Sequence, residues 1–344
     1  MRIAIDVMGG DHAPDAIVKG CIEALPLLAP SDELILVGDR RVIDEILSER
    51  GVADRRLSIE HASQAIGMDE SPVEAVRSKP DSSIVRMSLL GSAKKSANPV
   101  DVVISAGNTG ACVSASTMYM RRLPGAHRPG IACTIPSTSG PVVLCDVGAN
   151  PEPRPAHLAQ YGVMAGVYAQ RVLGIENPRV AQMNIGSEEA KGTGMIKQVR
   201  DILRTVPDLN YIGYVEGRDL FEGVADVVVT DGFVGNTMLK LAEGLSISIF
   251  KMLFHEVMTT DPELALRLEP VLKQLFKKND YHEYGGAPLL GVNGVCIICH
   301  GSSEARTIRN SIRNAREYVK SGVNHAISER LSTLDGVFCA GEAA

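Results

Sequence analysis

One unit recurs along this 344-residue chain and constrains its fold most: a short apolar run, a loop rich in Gly, Asn and Asp, then a helix-like stretch. Apolar runs at 2–7, 101–104, 142–145, 180–185, 226–230 and 295–299 each open into such a loop. Continuous Val- and Ile-rich runs alternating with helical stretches are the pattern of a parallel sheet covered on both faces. The expected fold class is therefore α/β, a mostly parallel sheet with helices on both faces. In such sheets the strand-to-helix loops emerge at the carboxyl edge, where ligands bind. The six loops are expected to converge on one cleft, their backbone N–H groups directed at a shared anion.

No long linker divides the chain, so residues 1–331 are expected to form a single α/β catalytic domain. A helical hairpin over 238–284 is expected to protrude from it, its two helices joined near Thr259-Thr260-Asp261-Pro262. Leu241, Leu245, Ile249, Met252, Leu253 and Val257 repeat at helical spacing in the first helix. Leu264, Leu268, Val271, Leu272, Leu275 and Phe276 do so in the second. Asp261 before Pro262 fits an N-cap followed by proline at the first helical position. A hairpin this apolar needs cover from a partner subunit or the main body, with membrane contact open at its tip. The segment 332–344 is small and polar and is expected to be a flexible tail.

Composition removes several function classes. With six Phe, eight Tyr and no Trp, against a net charge of −6, nothing suggests a base-stacking nucleic-acid surface. No apolar run approaches the roughly 20 residues that span a bilayer. The opening MRIAIDVMGGDHAP reaches Asp6 too early for a signal-peptide core. Seven cysteines, an odd number, suggest reduced thiols and a cytoplasmic setting. A Walker-type phosphate loop, a GxSxG elbow and an HExxH helix are all missing, and Gly192-Thr193-Gly194 lacks the third glycine of a dinucleotide fingerprint. Cys296-Ile297-Ile298-Cys299-His300 spells a haem-attachment pattern. Its cysteines lie in an apolar run, however, where Cys behaves as a small hydrophobe, so core packing is expected over zinc or redox use. His300 closes that run at the edge where ligands bind.

Taken together, Asp6-Val7-Met8-Gly9-Gly10-Asp11-His12-Ala13-Pro14, Ser105-Ala106-Gly107-Asn108-Thr109-Gly110-Ala111 and Asp146-Val147-Gly148-Ala149-Asn150 resemble signature blocks of the PlsX family. Asn184-Ile185-Gly186 with Lys191-Gly192, Asp231-Gly232-Phe233-Val234-Gly235-Asn236, Gly285-Gly286-Ala287-Pro288-Leu289-Leu290-Gly291 and His300-Gly301-Ser302-Ser303 extend the resemblance over nearly the whole chain. Val7, where the family more often has Ala, and the proline-rich Pro151-Glu152-Pro153-Arg154-Pro155 depart from the pattern without removing a polar group from the cleft. The resemblance implies a phosphate acyltransferase that makes acyl phosphate from long-chain acyl-acyl-carrier protein and inorganic phosphate for phospholipid synthesis. It implies an isocitrate/isopropylmalate dehydrogenase-like (phosphotransacetylase-like) fold and a cytoplasmic homodimer in peripheral membrane contact. The hairpin would serve both contacts, with a membrane glycerol-3-phosphate acyltransferase as a candidate neighbour. No cofactor, metal or nucleic acid is implied.

Thioester-to-phosphate transfer needs little acid–base work, because phosphate is already nucleophilic and a thiolate leaves readily. It needs positioning and stabilisation of a tetrahedral oxyanion. Lys191, among glycines, is the expected phosphate clamp, or else a solvated surface lysine. Asn108 and Asn184 are expected amide donors. His300 is expected to donate to the oxyanion or departing sulfur, or else to cap structure. Gly9, Gly10, Asp11, Gly107, Thr109, Gly110, Gly186, Asp231, Gly232 and Asn236 are expected to line the phosphate and substrate site. Asp6, Asp11 and Asp231 would orient Lys191 and the loop amides. No base is evident beside Ser105, so direct attack by phosphate is expected rather than a covalent intermediate.

For the acidic carrier protein, Arg306, Arg309, Arg313, Arg316 and Lys320 fall within an arc of roughly 80° on one helix. Ile308, Ile312, Ala315 and Val319 form the adjacent anchoring stripe. Arg121, Arg122, His127 and Arg128 are a rival patch, and Lys273, Lys277 and Lys278 suit anionic headgroups. The alternatives are a phosphate acetyl- or butyryltransferase using acyl-coenzyme A, a metal- and NAD-dependent decarboxylating dehydrogenase on the related fold, and a non-catalytic membrane scaffold.

Overall fold

The computed structural model describes residues 1–279 and 285–339. Its strands are β1 (Arg2–Asp6), β2 (Glu33–Gly38), β3 (Leu57–His61), β4 (Val102–Ser105), β5 (Gly130–Ser137), β6 (Gly140–Cys145), β7 (Val180–Met183), β8 (Tyr211–Val215), β9 (Val227–Val229), β10 (Ala287–Leu290) and β11 (Val295–Ile298). The helices are α1 (Asp15–Ala24), α2 (Arg40–Glu49), α3 (Pro72–Ser78), α4 (Ser83–Leu90), α5 (Thr109–Ala115), α6 (Pro155–Leu173), α7 (Gly194–Thr205), α8 (Gly232–Thr260), α9 (Pro262–Asn279), α10 (Ala305–Ser321), α11 (Val323–Ser332) and α12 (Asp335–Cys339).

All the strands share one sheet in the order β3-β2-β1-β4-β11-β10-β5-β6-β9-β7-β8. From β3 to β11 the pairing is parallel, with Ile3 opposite Leu34 on one side and Val102 on the other. From β6 to β8 it is parallel again. Between these halves, β10 and β5 pair antiparallel with their neighbours and with each other. The α/β, mostly parallel fold class therefore holds, but the second half runs in the opposite sense to the first. A single carboxyl edge for all six loops does not exist.

The twist of the sheet brings the two sets of loops back towards each other. Six steps separate β1 from β9, and each turns the strand direction by roughly 20–25°. Over six steps that rotation accumulates to roughly 120–150°, enough to turn opposed strand directions towards each other, and the Lys240–His300 contact joins the two sets of loops.

Each face of the sheet is covered. On one side α1, α6 and α10 to α12 pack Ile17, Leu158, Met164, Ile308, Ile312, Ile327 and Phe338 onto Ile3, Ile5 and Ile297. On the other, Met87 and Cys112 from α4 and α5 pack with Ala4, Val103 and Cys296, and the start of α8 adds Val234, Met238 and Leu239. Cys296 and Cys299 are buried core residues: Cys296 Sγ is 3.7 Å from Cys112 Sγ, and Cys299 Sγ is 3.2 Å from Ser311 Oγ. Burial pushes the Cys299 thiol up to about 12.

The hairpin starts six residues earlier than expected, because Asp231 caps α8 through its side chain to the Val234 N–H at 2.8 Å. Asp261 Oδ1 accepts from the Leu264 N–H at 2.9 Å at the turn into α9, as the Asp-Pro pair predicts. Beyond the first turns Leu241, Leu245, Ile249, Met252, Leu253 and Phe254 are exposed, as are Leu264, Leu266 and Val271 on α9. The expected end of the hairpin, 280–284, lies outside the described residues. No helix among the described residues is long and apolar enough to cross a membrane. The flexible-tail expectation is corrected over 332–339: Ser332 closes α11, α12 follows, and Leu334 and Phe338 are buried in the core. Residues 340–344 lie outside the described residues.

One close approach locks α8 to the sheet. A Cβ placed on Gly235 would lie 2.0 Å from the Asp146 carbonyl oxygen, so only glycine lets the helix start against this backbone. Gly235→Ala is therefore expected to lower stability by about 2–3 kcal/mol, read as a reduced urea midpoint. An unchanged midpoint would refute the contact.

Candidate active site

The first set of loops, after β1, β4 and β11, is knitted together by backbone. The Asp11 N–H donates to the Gly301 carbonyl at 2.8 Å. Gly10, at φ +114°, faces the Gly301 and Ala106 carbonyls, and Gly9 lies so close to Gly107 that any side chain there would clash. Asp6 is fully buried beneath these loops and accepts from Ser105 Oγ at 2.7 Å and the Met8 N–H at 3.2 Å. Burial raises its pKa, opposed by hydrogen bonds from Ser83, Ser105 and the Met8 and Gly9 amides. Asp6 thus orients loop amides, as expected. Ser105 is buried and spends its proton on Asp6 while accepting from the Gly107 N–H at 3.0 Å, so it is not presented as a nucleophile.

Asn108 departs from its expected role. Its Oδ1 caps α5 through the Ala111 N–H at 3.0 Å. Its Nδ2 donates at 3.1–3.3 Å to the carbonyls of Gly67, Met68 and Glu70. The side chain holds the 67–70 loop over the cleft rather than offering donors to it. Thr109 opens α5, and Gly110 packs against Pro72 of α3.

The second set follows β6, β7 and β9. Asp146 exchanges backbone hydrogen bonds with the β9 end: its N–H donates to Thr230 and the Thr230 N–H to Cys145. The Gly232 N–H donates to Asn150. The Asp146 carboxylate accepts from the amides of Ile131 at 2.9 Å, Ala149 at 3.1 Å and Asn150 at 2.7 Å. Asn236 on α8 faces Gly148, whose φ of +130° bends the loop away from it. Asn184 is nearly buried and donates to the Gly186 carbonyl at 3.1 Å, holding its own loop. A Cβ on Gly192 would meet Asn184 Oδ1 at 2.6 Å, so Asn184 also fixes where the loop returns. Lys191 extends from that loop with Nζ 3.2 Å from Glu188 Oε1, both side chains about half exposed.

A residue the sequence reading missed joins the two sets. Lys240 on α8, one turn beyond Asn236, places Nζ 3.4 Å from His300 Nε2. His300 Nδ1 in turn lies 2.7 Å from Ser302 Oγ. The visible signal for Lys240 was only its spacing, i+4 from Asn236, which puts both on one helical face. The two loop sets thus meet at Lys240 and His300 and carry glycine-bounded amides, with Lys191 on the loop after β7 and the buried Asp6 and Asp146 carboxylates turned onto backbone N–H groups. Such a site can bind an anion and stabilise a developing oxyanion.

Residues 1–326 match the family model described as fatty acid synthesis protein. The chain belongs to this family. Among curated relatives it is 47% identical over 334 residues to the phosphate acyltransferase of Heliobacterium modesticaldum, covering 96% of this chain and 98% of that one. Among solved structures it resembles a phosphotransacetylase from Streptococcus pyogenes, with a TM-score of 0.64 at 16% identity over 93% of this chain and 94% of that one. A branched-chain phosphotransacylase from Enterococcus faecalis superposes with a TM-score of 0.55 at 15% identity over 93% and 99%. The chain is thus an acyltransferase, related to the phosphate acyltransferases, on a phosphotransacetylase-like fold.

The expected docking stripe of this phosphate acyltransferase is partly consumed internally. Ile308, Ile312 and Ala315 anchor α10 as expected, but Val319 is exposed and Tyr318 takes the buried place. Arg316 pairs with the buried Asp32, and Lys320 Nζ lies 3.3 Å from Glu317. The side chains of Lys273, Lys277 and Lys278 lie outside the described residues.

Asp146 yields a pH test. Burial pushes its pKa to about 6 despite the backbone N–H bonds, above the usual carboxylate value. The folded state therefore holds this proton more tightly than the unfolded chain. The resulting stability is fully present below about pH 4 and lost as pH rises through about 6. The urea midpoint of the parent, relative to Asp146→Asn, should fall from pH 4 to 6.5 and then level off. A flat or rising difference would contradict the shift.

Proposed function

We propose that this phosphate acyltransferase transfers a long-chain acyl group from acyl-carrier protein to inorganic phosphate. It releases free carrier protein and supplies acyl phosphate to phospholipid synthesis. The observation that carries the long-chain reading is an apolar rim on a polar cleft. Met68, Ile185 and Phe233 are 46, 80 and 68% exposed, although each lies on or beside a loop of the site. Met68 packs on Gly301, Ile185 stands between Asn184 and Gly186, and Phe233 follows Gly232. Exposed apolar area costs roughly 25 cal/mol per Å². A substrate with an anionic or polar reacting end and an aliphatic body removes that cost while meeting the amides.

In this reading a phosphate oxygen attacks the thioester carbonyl. The C–O bond forms as the π electrons move to the carbonyl oxygen, where the loop amides hold the charge. Collapse of the tetrahedral intermediate breaks the C–S bond, and the electron pair leaves on sulfur. Lys191, Asn236 and the glycine amides hold phosphate, while Asn108 and Asn184 position the loops that carry them. The exposed hairpin faces are read as the contact with a second copy and, at the tip, with a membrane surface. The exposed part of α10 and the Arg121–Arg122 corner are read as candidate carrier-protein contacts.

Mixing palmitoyl-acyl-carrier protein, inorganic phosphate and this protein should release free carrier protein and form hydroxylamine-trappable acyl phosphate, with palmitoyl preferred over butyryl. Absence of phosphate-dependent release, or equal turnover of butyryl-coenzyme A, would overturn the proposal. Phe254→Ser with Leu264→Ser, at the hairpin turn, should weaken flotation with anionic vesicles several-fold while soluble turnover persists. Unchanged flotation would remove the tip as the membrane contact.

A further inference from the structure

The two lysines of the cleft differ in what they face. Lys191 Nζ sits 3.2 Å from the Glu188 carboxylate, which neutralises part of its charge. Lys240 Nζ faces the His300 imidazole at 3.4 Å, and among the described residues no carboxylate comes within ion-pair distance of it. Its position is also the better fixed. Lys191 stands on a loop beside Gly192, at φ +91°. Lys240 stands on a helix whose first turns are locked by the Asp231 cap and the Gly235–Asp146 contact. One turn before it, Asn236 faces Gly148 of the second loop set, while its own ammonium reaches the first set at His300. A cation with no acid partner among the described residues, reaching from one set of amide-bearing loops to the other, is placed for an anion that both sets share.

We propose that Lys240 is the principal phosphate-binding cation of the site, its Nζ lying beside His300 Nε2 when phosphate is absent. This rests on the acyl-to-phosphate reading above for the identity of the anion. When phosphate arrives, Lys240 directs its N–H donors to the phosphate oxygens. Lys191, paired with Glu188, plays the secondary role.

The test compares the parent with Lys240→Ala, Lys240→Arg and Lys191→Ala, and His300→Asn with its Lys240→Ala double variant. Steady-state rates are measured with palmitoyl-acyl-carrier protein at varied phosphate, and thermal melts with inorganic phosphate alone. Lys240→Ala should raise the KM for phosphate about tenfold or more, the scale of a lost charged hydrogen bond, with little change in the KM for the acyl carrier. Lys240→Arg should recover most of that loss, and Lys191→Ala should cost less. Phosphate should raise the Tm of the parent by mass action and not that of Lys240→Ala, while all three lysine variants melt near the parent without phosphate. A phosphate KM for Lys240→Ala within twofold of the parent would overturn the proposal. So would an unchanged phosphate-induced shift in its Tm, or no further loss when Lys240→Ala is added to His300→Asn, since Lys240 would then act only through His300. If the parent turns over no thioester, the acyl-transfer reading fails alone, because the phosphate melts still judge Lys240.

Discussion

The reversal of strand sense at β10 and β5 governs the rest of this molecule. Two parallel halves, each with glycine-rich loops at its carboxyl ends, would face apart if the sheet were flat. Chirality prevents flatness, because each strand step adds a turn of one hand. A sheet this wide therefore curls its two halves towards a common cleft. Helix α8 spans the join, leaving the second half beside Asn150 and meeting the first at His300. The site exists because a topological break and a twist combine, and neither alone would produce it.

Within the cleft, charge and position are divided between residues. Asp6 and Asp146 are buried and point their oxygens at backbone amides and a serine hydroxyl, so they shape loops instead of repelling an anion. Asn108 and Asn184 are likewise spent on holding backbone. In the proposed reading the ligand is met by the main chain itself, together with Asn236 and the lysines. This economy suits a reaction whose nucleophile and leaving group need little proton transfer.

Much of this was legible in the sequence, and the omissions have physical causes. The Val- and Ile-rich runs of β1, β4, β9 and β11 advertise burial on both faces, and their loops mark the site. β3 and β8 are half-exposed, so they lack a continuous apolar run. β10 carries Pro288 and β5 carries Pro136, residues that weigh against strand in a one-dimensional reading. Without those two strands the reversal could not be foreseen, and six loops looked as if they shared one edge. Asn108 was misjudged because an amide side chain near glycines looks like a donor until the carbonyls of 67–70 fold over it. Lys240 was passed over because it sits inside an apolar helical repeat and reads as its solvated face. Phe338 was missed because one aromatic among small residues gives no periodic signal, yet it fills the core.

The unbroken run of α8 sets a distance. From Lys240 to Thr260 the helix continues for 20 residues, about 30 Å at 1.5 Å per residue. Whatever surface covers the far end of the hairpin is held off from the cleft by that rod. In the proposed reading the reacting centre is then held at a fixed height above any plane the tip rests on, set by the helix axis and not by a hinged loop. A tilt of the hairpin at its tip would be felt at its root, where glycine holds the helix against the Asp146 backbone.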